Sequence, residues 1–210
     1  MSDMFDRSFR QILAVAASDA PTPGGGSVSA MVGALGVAMT AMVGNLTVGK
    51  PKYAEVEGKV KEITARAYYI INRLEKLVAA DIAAFGKFMD VYRMPKNTEE
   101  EKAKREEMMQ KALKTATNEP MEIARTLLEA LKITEELSHI GNKMAISDAG
   151  VAAYVCEAAL NAVLLSADIN IPMITDQEFV QQVLAEKERI VNRARELKEA
   201  AVAKVNERMK

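Results

Sequence analysis

The sequence predicts an all-α fold: an up-and-down-like helical bundle with long amphipathic helices, paired as a homodimer. Three observations lead there. Alanine, methionine, leucine, glutamate and lysine dominate, aromatics make up 5% and tryptophan is absent, a composition that favours helix almost throughout. Apolar residues recur near every 3.6 positions over long unbroken stretches, and no alternating segment reads as a strand. Two stretches, one from the glycine run to about Val48 and one from Ile146 to Ala167, are rich in alanine and glycine, whose small side chains let helix backbones approach closely.

The elements follow in order. Phe9, Ile12, Leu13 and Ala16 share a helical face within Phe5 to Ala17, and Ser18 to Gly26 breaks that helix. Ser27 or a neighbouring glycine caps the next, which carries Ala30, Gly33, Ala34, Val37, Ala38 and Ala41. From Tyr53 to about Tyr92 no proline intervenes, and Val56, Val60, Ile63, Ala67, Ile70, Leu74 and Leu77 trace one very long helix. Met94 to Thr98 is a break, after which Thr98 and Glu101 form a capping box for a charged helix over Glu99 to Thr115. Asn118, Glu119 and Pro120 are read as a second break, with Pro120 in the first turn of a helix reaching His139. After Gly141 and Asn142 comes the second alanine-rich helix. Asp176 to Lys210 closes the chain with a stripe of Val183, Ile190, Leu197 and Ala201, which suggests a second subunit paired by two-fold symmetry.

The 210 residues fit one domain over 1–210, and a net charge of −1 gives no general attraction to nucleic acid or anionic membrane. Met1 to Arg10 mixes Asp3, Asp6, Arg7 and Arg10 and does not resemble a secretory signal, so a cytoplasmic protein is expected. Ala20 to Gly49 lacks charge and is long enough to span a bilayer. Its prolines, glycines and small residues instead suit a buried helix. Cys156 is the sole cysteine, which excludes an intramolecular disulfide, and its apolar setting suits burial better than nucleophilic attack. His139 is the sole histidine and reads as a cation at a helix C-terminus, leaving no basis for a histidine metal site or a serine triad.

Chemistry has three candidate locations. Pro21, Thr22, Pro23, Gly24, Gly25, Gly26 and Ser27 form a stiffened glycine turn that opens a helix. Its bare amides suit an anion or carbonyl, and equally the glycines suit a tight turn against a neighbouring helix. Asn45 lies near a helix end, with Lys50, Lys52 and Tyr53 just beyond. The group could hold a polar anion, although lysines answering the helix dipole account for it more simply. Asn142, Ser147 and Asp148 gather at the start of the second alanine-rich helix, where Ser147 reads as a cap.

Four segments, Pro21 to Ser27, Asn45 to Lys50, Asn118 to Pro120 and Gly141 to Asp148, resemble in this order the cyclodeaminase domain of formiminotransferase-cyclodeaminase and its stand-alone relatives, over nearly the whole chain. The resemblance implies a tetrahydrofolate substrate, a homodimer, no metal and no redox cofactor. It implies one of two reactions: hydrolysis of methenyltetrahydrofolate to the 10-formyl form, or cyclisation of formiminotetrahydrofolate with loss of ammonia. Lys50 to Glu57 and Met94 to Lys102 resemble the stand-alone cyclohydrolases more closely, which favours hydrolysis. On this reading Asp148 stabilises the amidinium or accepts a proton, Lys50 transfers a proton or meets the developing oxyanion, and Asn45 and Asn142 orient. Asn118, Tyr53 and the glycine turn bind substrate, with the turn and the Asn45, Asn142 and Asp148 set converging on one site. A non-catalytic helical adaptor, dimerised through its C-terminal stripe, is the alternative from outside enzymology.

Overall fold

The computed structural model describes residues 4–210; Asp3, counted above in the charged N-terminal stretch, lies outside them. Among the described residues all regular structure is helical. Six α-helices run in order: α1 (Phe9–Ala16), α2 (Gly25–Asn45), α3 (Glu57–Tyr92), α4 (Glu99–Ile140), α5 (Ile146–Asp168) and α6 (Gln177–Met209). α2 packs on α5, α3 lies against α2 and α4, and α6 closes the bundle over α4 and α5.

Local chemistry explains the helix starts. The expected capping box opens α4: Thr98 Oγ1 accepts the Glu101 N–H at 3.2 Å while Glu101 accepts the Thr98 N–H at 3.2 Å. Asp176 caps α6 by accepting the Phe179 N–H at 3.1 Å. α2 has Gly24 as its N-cap and no side-chain cap, so its first amides depend on something else. The long third helix begins at Glu57 and not at Tyr53, because Pro51–Val56 turns as a 3-10 segment with Tyr53 off helical geometry.

The expected break at Asn118 to Pro120 does not occur. α4 passes through Pro120 as one helix of 42 residues. A proline inside a helix removes one N–H and orphans the carbonyl four residues earlier, here Ala116. That carbonyl accepts from Asn170 Nδ2 at 3.1 Å, so the hydrogen bond lost to proline is replaced from a distant segment.

The core is aliphatic, with Ile70, Leu74, Leu127, Leu131, Leu160 and Leu164 fully buried. Gly33 makes it close: a Cβ there would run into the Leu127 side chain, so α2 and α4 approach at a distance only glycine permits. Thr40 and Thr134 bridge the same pair of helices with a buried 2.7 Å hydrogen bond. At the surface Arg73 pairs with Glu122, and Arg125 grips Glu186 through Nε and Nη2 at 2.8 and 2.6 Å, linking α3, α4 and α6.

The C-terminal stripe was expected to bind a second subunit, but the chain itself covers it. Val183, Ile190, Leu197 and Ala201 are buried in the bundle's own core. Apolar side chains stay uncovered elsewhere, among them Phe9 and Leu13 on α1 and a set along the two alanine-rich helices, α2 and α5. Val32 and Leu35 on α2 with Leu46 just past its end, and Val151, Tyr154 and Leu165 on α5 with Ile169 just past its end, are all exposed. Both helices are long and apolar enough to cross a membrane, with 61% and 50% of their apolar windows buried within the bundle.

Candidate active site

One cleft of about 630 Å³ opens at the N-terminal end of α2, a volume typical of small-molecule sites. Pro21, Thr22, Gly24, Gly25 and Gly26 form one wall, as expected of the glycine turn. Asp81, Phe85 and Phe88 of α3, Ala116 and Pro120 of α4, Leu165 and Ser166 of α5 and Asn170 just beyond it also line the cleft. Pro23 is buried behind the wall, joined to Thr22 by a cis peptide bond.

Asp81 is the acid of this cleft. Ser27 Oγ donates to its Oδ2 at 2.6 Å, and the Ser27 backbone N–H also faces it. A Cβ on Gly26 would strike the carboxylate, so that glycine lets the first turn of α2 pass directly over Asp81. The helix terminus therefore carries an anion supplied by the chain itself, which answers α2's missing side-chain cap. Burial pushes the Asp81 carboxyl above its ordinary value, more than the Ser27 hydrogen bonds lower it. Glu119 is raised as well, first by burial and then by repulsion from Asp81. Sequence reading missed Asp81. Its signal was a lone acid within the apolar run from Leu77 to Phe85.

The other candidates gather at the opposite end of α2. Asn45 Nδ2 donates to the Tyr68 hydroxyl at 2.8 Å. Asn142 is buried with each polar group engaged: its N–H donates to Thr47 Oγ1 at 2.8 Å, its Nδ2 donates to the Leu46 carbonyl at 2.8 Å, and its Oδ1 accepts from the Tyr53 hydroxyl and the Met144 N–H. The Tyr53 hydroxyl also accepts the Lys143 N–H at 2.9 Å. Lys50 is exposed nearby, and Asp148, in the first turn of α5, is half-buried and not enclosed by its apolar neighbours.

The expected convergence on the glycine turn is therefore not met within one chain. α2 has 21 residues, which at 1.5 Å each separates Gly25 from Asn45 by roughly 30 Å. Asn45, Tyr53 and Asn142 share one end, and the glycine turn with Asp81 forms the other. Asn118 is exposed and does not line the cleft, although Ala116 and Pro120 beside it do. Cys156 behaves as expected of a core residue, fully buried with its thiol pushed up to about 12.

A helical bundle with a half-buried acid at a glycine-edged cleft defines the class: a small all-α domain with one end open to a small molecule by volume. The chain belongs to the formiminotransferase-cyclodeaminase family, whose model matches residues 8–189. It is 41% identical to methenyltetrahydrofolate cyclohydrolase of Methylorubrum extorquens, over 87% of this chain and 88% of that one. It is 31% identical to formimidoyltransferase-cyclodeaminase of Mus musculus over 85% of its own length, and spans 33% of that longer protein. The crystal structure of formiminotetrahydrofolate cyclodeaminase from Thermotoga maritima superposes with a TM-score of 0.86 at 29% identity, covering 96% of each chain.

Proposed function

We propose that the chain is a cytoplasmic methenyltetrahydrofolate cyclohydrolase whose chemistry takes place at Asp81. The observation that carries this is the half-buried Asp81 carboxylate, held by Ser27 in the wall of the glycine cleft, where burial raises its proton affinity above the ordinary value. The methenyl bridge is a cationic amidinium, which an anionic carboxylate attracts and orients. As water adds to the bridging carbon, the new C–O bond forms and one water proton passes to Asp81. The C–N5 bond then breaks with its electron pair returning to N5, which takes that proton. The remaining hydroxyl proton leaves to solvent, and the formyl group stays on N10. The bridging carbon is electrophilic from the start, so no metal or redox cofactor is required.

Relatives named as cyclodeaminases support a second reading, in which the same cleft closes a formimino group onto N10 with release of ammonia. The 41% relative, matched over most of both chains, favours hydrolysis. An adaptor has no use for a half-buried acid beside a glycine turn. The deciding assay is the absorbance loss of methenyltetrahydrofolate, corrected for spontaneous hydrolysis, beside ammonia release from formiminotetrahydrofolate. Accelerated absorbance loss without ammonia release supports the cyclohydrolase, and the reverse supports the deaminase.

The same reading includes a homodimer, formed through the exposed face of α2 and α5. That face runs the length of both helices and meets the cleft at Leu165 and Ile169, which are 68% and 72% exposed. A two-fold axis across the helices sets the glycine end of one protomer beside the Asn45 end of its partner, where Lys50, Asn45 and Asp148 would reach the partner's substrate. Neither lipid nor nucleic acid is needed to cover this face. Sedimentation checks it: the parent is expected to run as a dimer and Leu35→Glu as a monomer, whereas a monomeric parent refutes the pairing.

A further inference from the structure

Pro120 stands in the middle of α4 at the cleft wall, and Asn170 reaches it from just beyond α5. Asn170 Nδ2 donates to two carbonyls, Ala116 and Ser166, each at 3.1 Å. Neither carbonyl has its helical donor. Ala116 lacks one because proline at 120 has no N–H. Ser166 lacks one because α5 ends at Asp168 and the Asn170 backbone N–H goes instead to the Ala167 carbonyl at 3.1 Å. Only the NH2 side of a carboxamide can face two carbonyl oxygens, so the orientation of the side chain is fixed and both its hydrogens are used. Among the described residues no hydrogen bond is made to its Oδ1, and Asn170, Ala116, Pro120 and Ser166 all line the cleft.

We propose that Pro120 and Asn170 form a unit that fixes the Asn170 Oδ1 as an acceptor in the cleft wall, where it reads an N–H donor on the edge of a reduced pterin. The inference rests on the reading of this cleft as the folate site. A tetrahydropterin carries its 2-amino group and the N3 and N8 hydrogens at its periphery, and a fixed acceptor favours those donors over an edge that presents only oxygens. Pro120 is the positioning residue. With an ordinary residue at 120, a backbone N–H would take the Ala116 carbonyl, and the Asn170 amide would lose a partner that holds its orientation.

The test measures the dissociation constant for tetrahydrofolate by calorimetry and the melting temperature, on the full chain, for four variants. Asn170→Leu is expected to melt lower and to bind about tenfold more weakly, the equivalent of roughly one neutral hydrogen bond. Pro120→Ala/Asn170→Leu returns an N–H to the Ala116 carbonyl but not to that of Ser166, so melting recovers in part while binding stays about tenfold weak. A merely structural pair would recover both, which overturns the proposal even if Asn170→Leu alone fails to fold. Pro120→Ala alone should melt no lower than the parent and yet bind more weakly; undiminished binding overturns the positioning role. Gly25→Val probes the cleft itself, since a Cβ there meets only Ser166 Oγ, at an ordinary 3.5 Å, while the larger side chain intrudes on the ligand. If Gly25→Val weakens binding and the Asn170 variants do not, this inference falls and the folate cleft stands. If none of the four changes binding, both fall.

Discussion

The two ends of the α2–α5 pair use polar groups in opposite ways. At the Asn45 end Asn142, Thr47, Tyr53 and the backbone satisfy one another, so that each polar group of Asn142 is engaged inside the chain. At the glycine end Asp81 is held by a single residue, and Asn170 spends its donors while its acceptor faces no protein partner. Spent polar groups build a fold; groups with capacity left, beside an open cleft, are available to a ligand. The difference locates the acid at the end that has fewer polar side chains, to which the proposed dimer would bring the partner's Asn45 end.

The largest effect expected is at Asp81. Asp81→Asn keeps the size and removes the base, and should lower methenyltetrahydrofolate turnover about 100-fold or more. Stability should move the other way. Burial raises this carboxyl above its ordinary 3.8, so the folded chain binds the proton more tightly than the unfolded chain. The stability it contributes is full below that value and is lost as pH rises through the raised one. Asparagine stays neutral, so the variant should melt at or above the parent at pH 7. Thermal melts from pH 4 to pH 8 check the sign: the gap in favour of Asp81→Asn should widen as pH rises. A lower melting temperature at every pH would make Asp81 structural.

A smaller effect, opposite in kind, is expected at the other end. Asn142→Ala leaves the Leu46 carbonyl without its side-chain donor and the Tyr53 hydroxyl and Met144 N–H without their acceptor, at a cost of about 1–3 kcal/mol. In a chain of this size that lowers melting by roughly 2–4 °C per kcal/mol. Turnover per folded molecule should stay within about threefold of the parent. Loss of turnover without loss of stability would reverse the assignment of the two ends.

Much of the fold was legible because its signals are local. The Thr98–Glu101 capping box and the apolar period along α3 are written within one or two turns of helix, and both stand in the structure. The break at Pro120 was misread because the cost of a helical proline depends on the orphaned carbonyl, and the group that meets it lies 54 residues away. The stripe on α6 announced a partner without saying whose. Its apolar period is the same whether the groove belongs to a second copy or to α4 and α5. The glycine turn was singled out from its backbone freedom, but Asp81 was not, because an acid on a long helix resembles any solvated charge until the glycine that lets α2 cross over it is seen in space.

Arg208, in the last turn of α6, donates through Nη1 to the Ser138 carbonyl at 2.7 Å and through Nη2 to the Gly141 carbonyl at 2.6 Å. The open end of α4 is thus closed by a residue made some seventy positions later. During synthesis, α4 and α5 emerge with that terminus uncapped and with the groove for Ile190, Leu197 and Ala201 empty, so the growing chain carries an open apolar trough until α6 has followed them. The bundle therefore cannot close until α6 is made, and the end of α4 waits for the same helix that fills the groove.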